Sequence, residues 1–312
     1  MMRLKDFART VLPTRTLAFL KRTRIRLRKA RVASFPALTE NTFRTILTDD
    51  LGLEDGDTVF IHGSVDQLNL SFPVRRILPM IQEITRERGT LLFPTYPRLA
   101  SYEFLSRGEI FDIRKTPSFT GLLSEIARRE PRALRSLHPI KSVCAIGQHA
   151  RELLSTHPHS VYPFDTCSPY YKVMAYGGKA VGIGVSSNFL SFLHTVEDAL
   201  QREFPVQVYA ERLFSARCIN YGGTEEIVST YAHDLRKMNV HDTPRFMKRH
   251  IASDICQDLT ICGMKFFRAD TRRLFHAMMA LAKEGITVYP RSSYSRSSRK
   301  WSYDREKTHG GA

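Results

Sequence analysis

Residues 56–64 read GDTVFIHGS, and the fold turns on them. Thr58, Val59, Phe60 and Ile61 are β-branched or aromatic with no polar interruption, the composition of a strand buried on both faces. The run stops at His62-Gly63-Ser64, where glycine allows a tight turn and backbone N–H groups stand ready beside a ligand. The same triplet also fits a plain strand-to-helix turn with Ser64 as N-cap.

Outward from this strand the pattern alternates. Ile77, Leu78, Ile81 and Ile84 fall at helical spacing within 74–86, with Gly89 as the expected stop, and TLLFP (90–94) makes a second buried strand. Residues 120–129 read as helix, 142–146 as strand, 180–185 (AVGIGV) as strand and 193–202 as helix. Alternation of this kind predicts an α/β fold with a central, largely parallel sheet covered by helices on both faces. No Pro/Gly-rich linker divides 35–290, so that span is expected to be one domain. It lies between a basic N-terminal extension (1–34) and a Ser- and Arg-rich tail (291–312) expected to be disordered.

The 312 residues carry a formal charge of +16, which at first suggests nucleic acid. Residues 1–32 hold eleven Arg/Lys against one acid and 291–312 hold six against two, leaving only +2 for everything between. The basicity sits in the ends, and no specific nucleic-acid partner is expected. The N-terminal segment, with Arg22, Arg24, Arg26, Arg28, Lys29 and Arg31, has an imperfect apolar side in Leu17, Leu20, Ile25 and Leu27. It fits peripheral contact with an anionic membrane, at ~1 kcal/mol per basic residue. A solvated extension, an arm on a partner subunit or a transit peptide fits as well. Five cysteines without paired spacing, no apolar run of membrane-spanning length and no signal-peptide core point to reduced thiols in the cytoplasm.

Chemistry is expected on loops beyond the C-terminal ends of strands. Besides His62-Gly63-Ser64, one more polar cluster follows a strand: GVSSN (184–188), then SFLHTVE (191–197). His194 and Glu197 are three apart and share a helix face, so the carboxylate can orient the imidazole and raise its basicity for general-base work. A half-buried histidine in a surface salt bridge would show the same spacing. His157-Pro-His159 is too short to hold a metal alone, and Cys256 and Cys262 lack a partner pair, so no metal is expected. No phosphate-binding loop, dinucleotide fingerprint or G-x-S-x-G elbow is present.

Six segments, in order, resemble the aminoglycoside 3-N-acetyltransferases. They are GDTVFIHGS (56–64), GTLLFPTY (89–96), FDIRKTPSFTGLL (111–123), RSLHPIKSVCAIG (135–147), CSPYYKVMAYGGKAVGIGV (167–185) and NFLSFLHTVED (188–198). The resemblance implies a mixed sheet between helical layers, acetyl-CoA as co-substrate, and transfer of its acetyl group to an amine of an amino sugar or aminoglycoside. It also implies that His194 takes the proton from the attacking amine, with Asp234 (in STYAHD) as the acidic helper and Glu197 shaping the acceptor site. Arg135, Ser136 and His138 fall on the coenzyme A side, and His62, Gly63 and Ser64 line the donor, with Ser64 and the backbone around Gly63 as oxyanion donors. The chain departs from the family where a Gly-Gly is usual near the donor: here stand SFPVRR (71–76), whose Arg75 and Arg76 could meet coenzyme A phosphates.

The near-neutral core suits a polycationic aminoglycoside less than an amino sugar on a nucleotide or lipid carrier, as in surface-polysaccharide assembly. The competing class is a non-catalytic binding module held by its basic termini. Oligomeric state is not legible here.

Overall fold

A computed structural model describes residues 14–234 and 241–290. The expected disordered tail and the first thirteen residues of the N-terminal extension lie outside the described residues. The strands in chain order are β1 (Thr58–Gly63), β2 (Thr90–Pro94), β3 (Phe111–Asp112), β4 (Leu134–Arg135) and β5 (Val143–Gly147). They continue with β6 (Lys179–Ile183), β7 (Tyr209–Ile219), β8 (Glu225–His233), β9 (Cys256–Ile261) and β10 (Met264–Asp270). The helices are α1 (Thr14–Ala33), α2 (Glu40–Thr45), α3 (Ile77–Thr85), α4 (Ser101–Ser106) and α5 (Leu122–Arg128). After them come α6 (Ala150–Leu154), α7 (Pro169–Lys172), α8 (His194–Leu200), α9 (Thr243–His250) and α10 (Thr271–Lys283).

Seven strands form the main sheet in the order β4-β5-β2-β1-β6-β10-β9. The sheet is mixed. Its centre is parallel, with β1 between β2 and β6, and its flanks are antiparallel. A parallel centre needs both faces covered, and the apolar run at 58–61 supplies them. Phe60 joins Leu92, Ala145, Ala180 and Phe267 on one face, under α6, α8 and α10. Val59 and Ile61 join Leu91, Phe93, Val181 and Phe266 on the other, under α2, α3 and α5. The flanking β9–β10 hairpin turns on Cys262 (φ +49°) and Gly263 (φ +79°), the paired positive angles that match strand twist.

The predicted strands and helices all form, with one difference at the end of α3. Arg86, not Gly89, takes the positive φ there, at +54°. Gly89 is required for space instead: a Cβ would lie 2.5 Å from that of Thr85.

A second sheet, β3-β7-β8, was not expected. β7 alternates, with Phe214, Ala216 and Cys218 buried and Ser215 and Arg217 exposed, the pattern of a strand wet on one face. Its inner face packs on Phe104 and Leu105 of α4 in a third apolar cluster. All five cysteines are free thiols. Among the described residues no helix is long and apolar enough to cross a membrane.

Candidate active site

The C-terminal ends of β1 and β6 meet at a crowded corner. Gly184, at φ +73°, lets the chain leave β6 with no Cβ to strike the Ser64 carbonyl, which a methyl would approach to 2.4 Å. The loop beyond it is tied down by Ser187, whose N–H and hydroxyl donate to the two oxygens of Asp258 at 2.7 and 2.6 Å. Next, the Ser191 N–H donates to Nε2 of His62 at 3.2 Å. His62 is buried, and burial pushes its imidazole down to about 3, so it stays a neutral acceptor. β1 thereby positions the start of α8, three residues before His194.

His194 opens α8 and Glu197 follows one turn later, as the spacing predicts. Nδ1 of His194 lies 3.0 Å from Oε2 of Glu197, and the Tyr289 hydroxyl donates to Oε1 at 2.7 Å. In its neutral form His194 then carries its proton on Nδ1 and presents Nε2 as an acceptor. Burial would raise the Glu197 carboxyl, but the charge and hydrogen bond of His194, with His233 nearby, outweigh it and hold it well below the usual carboxylate range. Asp198, the next residue, goes the other way. Burial raises it well above its ordinary value, while it accepts from the Tyr209 hydroxyl (2.6 Å) and the Phe164 N–H (2.7 Å).

His233, at the end of β8, completes the cluster. Its Nε2 is 3.7 Å from Oε2 of Glu197, beyond hydrogen-bonding reach, and its ring stacks on Tyr209 at 4.4 Å. Among the described residues neither of its ring nitrogens has a hydrogen-bond partner, and burial lowers the imidazole to about 3. Sequence reasoning chose Asp234 from STYAHD as the acidic helper. The structure brings its neighbour His233 to within 3.7 Å of Glu197, and the Asp234 N–H bonds the Val208 carbonyl at 2.8 Å. The carboxylate on the imidazole is Glu197.

Donor atoms of His194, Glu197 and His233 lie within 4.8 Å of one another, close enough for a small cation. Here Nδ1 and Oε2 share a proton, and the second Glu197 oxygen belongs to Tyr289. A metal would have to displace that proton, so we read His194 and Glu197 as a hydrogen-bonded pair with His233 beside it.

The residues expected on the donor side are mostly committed elsewhere. Ser64 uses its N–H on the Ile183 carbonyl (2.9 Å) and its hydroxyl on Asp66. Gly63 lies in the β1–β6 ladder opposite Ile183. Arg135 is buried, its guanidinium lying 4.7 Å from the centre of the Phe111 ring and donating to the carbonyls of Thr95 and Thr116, each at 2.5 Å. Ser136 accepts from the Val143 N–H (2.9 Å) and pairs with Nδ1 of His157 at 2.7 Å. His138 is fully buried and stacks on His157 at 4.4 Å. RSLHP is thus an interior polar knot. Arg76 pairs with Glu40 and Glu83, which leaves Arg75 exposed.

Five residues escaped sequence reasoning: Lys141, His233, Tyr289, and Tyr96 and Tyr170, whose hydroxyls are 2.7 Å apart. Lys141 and His233 stood inside quoted motifs without a spacing that marked them. Tyr289 lies 92 residues from its partner and carried no signal.

The sequence model of the aminoglycoside 3-N-acetyltransferase family matches residues 60–283. Aminoglycoside N(3)-acetyltransferase IX of Micromonospora chalcea is 27% identical over 188 residues, 53% of this chain and 66% of that protein. Aminoglycoside N(3)-acetyltransferase VII of Streptomyces paromomycinus is 30% identical over 197 residues, 55% of this chain and 68% of that protein. The chain therefore spans about two thirds of the length of these relatives. Among solved structures, aminoglycoside acetyltransferase AAC(3)-Xa superposes with a TM-score of 0.67 at 20% identity, covering 86% of this chain and 99% of its own. The structure described as "AAC-IIIb binary with CoASH" gives 0.64 at 18% identity, covering 82% and 100%. A family match over 60–283, on the fold those structures share, makes this chain a member of the aminoglycoside 3-N-acetyltransferase family.

Proposed function

We propose that the protein is an acetyl-CoA-dependent N-acetyltransferase that acylates a primary amine of an amino sugar by direct transfer, with His194 as general base. The observation that carries this is the His194–Glu197 hydrogen bond of 3.0 Å, backed by Tyr289. Relatives named for transfer to an aminoglycoside amine and a related structure containing coenzyme A support it. Residues 35–290 are taken as the catalytic domain, working in the cytoplasm.

Acetyl-CoA would supply the activated thioester carbonyl. Within the fold, Nε2 of His62 accepts from the Ser191 N–H, so its proton sits on the buried Nδ1, which has no hydrogen-bond partner among the described residues. The rest is proton handling by the chain. A sugar amine is largely protonated near neutral pH, so one proton is first lost to solvent to free the lone pair, and Nε2 of His194 takes a second as the neutral amine attacks. As the N–C bond forms and the C–S bond breaks, His194 holds that second proton as an imidazolium stabilised by Glu197, then passes it to the departing sulfur to give the coenzyme A thiol. Glu197 and Tyr289 fix the ring. No acyl-enzyme is needed, and burial pushes the Cys144 thiol up to about 12, away from nucleophile duty.

The test is release of coenzyme A thiol from acetyl-CoA with amino-sugar acceptors. His194→Ala should lower kcat by ~10²–10⁴-fold, the usual contribution of a general base, with the melting temperature retained. An unchanged kcat would remove His194 from this role.

A further inference from the structure

Lys141 follows the buried RSLHP knot directly, and its main chain is held at both ends. Its N–H donates to Nδ1 of His138 at 3.1 Å, and its carbonyl accepts from the Tyr170 hydroxyl at 3.4 Å. The side chain is thereby aimed. Nζ lies 4.5 Å from the centre of the Tyr96 ring and 5.8 Å from that of Phe164, and Phe164 lies 5.0 Å from the His194 ring. The ammonium makes no hydrogen bond or ion pair among the described residues, so only aromatic faces support it.

An unpaired cation in a largely dry site is costly unless an anion arrives to meet it. The nearby carboxylates do not serve. Both Glu197 oxygens are held by His194 and Tyr289, and both Asp198 oxygens by Tyr209 and the Phe164 N–H. Burial pushes the Lys141 ammonium down to about 8, with Glu197 and Asp198 restoring part of the difference from a distance. A polycation approaching His194 meets a like charge here, while an acceptor with a negative group meets its complement.

We propose that Lys141 binds an anionic group, a phosphate or a carboxylate, carried by the acceptor sugar close to its reacting amine. The enzyme then selects anionic amino sugars over neutral or polycationic ones. This selection rests on the acetyltransferase reading; the anion site itself does not.

The experiment is calorimetric titration of the full chain with glucosamine, glucosamine phosphate and glucosaminuronic acid, for the wild type, Lys141→Met and Lys141→Arg. At least one anionic sugar should bind the wild type about tenfold or more tighter than glucosamine, as one complementary charge pair would give. The phosphate and uronate arms tell the two anion sources apart. Lys141→Met should abolish the preference at an unchanged melting temperature, and Lys141→Arg should keep it. Equal binding of the three sugars by the wild type overturns the proposal, as does no binding of any, or a preference that survives in Lys141→Met. In parallel thiol-release assays, a kcat loss in Lys141→Met equal for neutral and anionic acceptors overturns it too, since Lys141 would then act on the reacting centre. Lys141-dependent binding without thiol release leaves the anion site standing and removes the acetyltransferase reading.

Discussion

The Tyr289 hydroxyl donates to Oε1 of Glu197 at 2.7 Å, while the other oxygen of that carboxylate faces Nδ1 of His194. The end of the described chain thus holds the residue that orients the His194–Glu197 pair. A carboxylate gripped on both oxygens cannot rotate away, so the imidazole keeps one tautomer and one direction.

Tyr289→Phe should therefore slow turnover without touching donor binding. Losing one hydrogen bond to a charged group costs about 1.5–3 kcal/mol, or roughly 10–100-fold where it is fully expressed in the transition state. We expect a fall in kcat towards that range, an unchanged coenzyme A dissociation constant, and a melting temperature lowered by no more than a few degrees. Steady-state kinetics with calorimetry separates the outcomes. A rise in KM alone would mean that Tyr289 serves substrate binding.

The pH dependence of stability should be steep on the acid side. His62, His157 and His233 are buried and held down to about 3, well below their ordinary value near 6.5. Because the unfolded chain binds protons first, the stability of the neutral buried forms is present above 6.5 and is lost as pH falls from there towards 3. Each imidazole should contribute roughly 1.4 kcal/mol of loss per pH unit in that window. Glu197, held low, adds a loss that begins only below its ordinary carboxylate value. Urea unfolding at pH 7, 6 and 5 checks this. His157→Gln should flatten the slope, and an unchanged slope would mean that His157 can charge within the fold.

Arg135 should prove to be a stability residue. Its guanidinium serves the carbonyls of Thr95 and Thr116 and the hydroxyls of Thr95 and Ser142 inside the core. Arg135→Met leaves those acceptors short of donors at about 1–3 kcal/mol each. We expect a large fall in unfolding free energy and, for the fraction still folded, normal coenzyme A affinity. A weakened affinity at full stability would return Arg135 to the donor site.

α1 carries eight basic residues and no acidic one, with Phe19 and Leu27 about two-thirds exposed. It should bring the protein to vesicles containing anionic phospholipid, with binding that fades as salt rises and is absent from neutral vesicles. Co-sedimentation decides between this and a solvated arm. Charge reversal at Arg22, Arg24 and Arg26 should abolish the effect.

The strands and helices around β1, and the His194–Glu197 pair, were readable because their determinants are local. Buried parallel strands are continuous apolar runs, and three residues along a helix is one fixed distance. The small sheet escaped because β7 (YAERLFSARCI) turns only small or scattered apolar residues inward, and its partners come from sequence-distant β3 and β8. RSLHP was recognisable as a motif, but its spacing could not tell a donor site from a buried knot. That depends on Thr95, Thr116 and His157, brought there by other elements. Sequence alone thus determined the class of fold, the helix bearing the His194–Glu197 pair and the charge of the ends. Tertiary structure decided which groups were already satisfied: Ser64 and Arg135 committed, Tyr289 on Glu197, Lys141 left without a counter-charge among the described residues. Hydrogen-bond capacity and charge pairing are settled between residues far apart in the chain, so only folding reveals what remains free for a substrate.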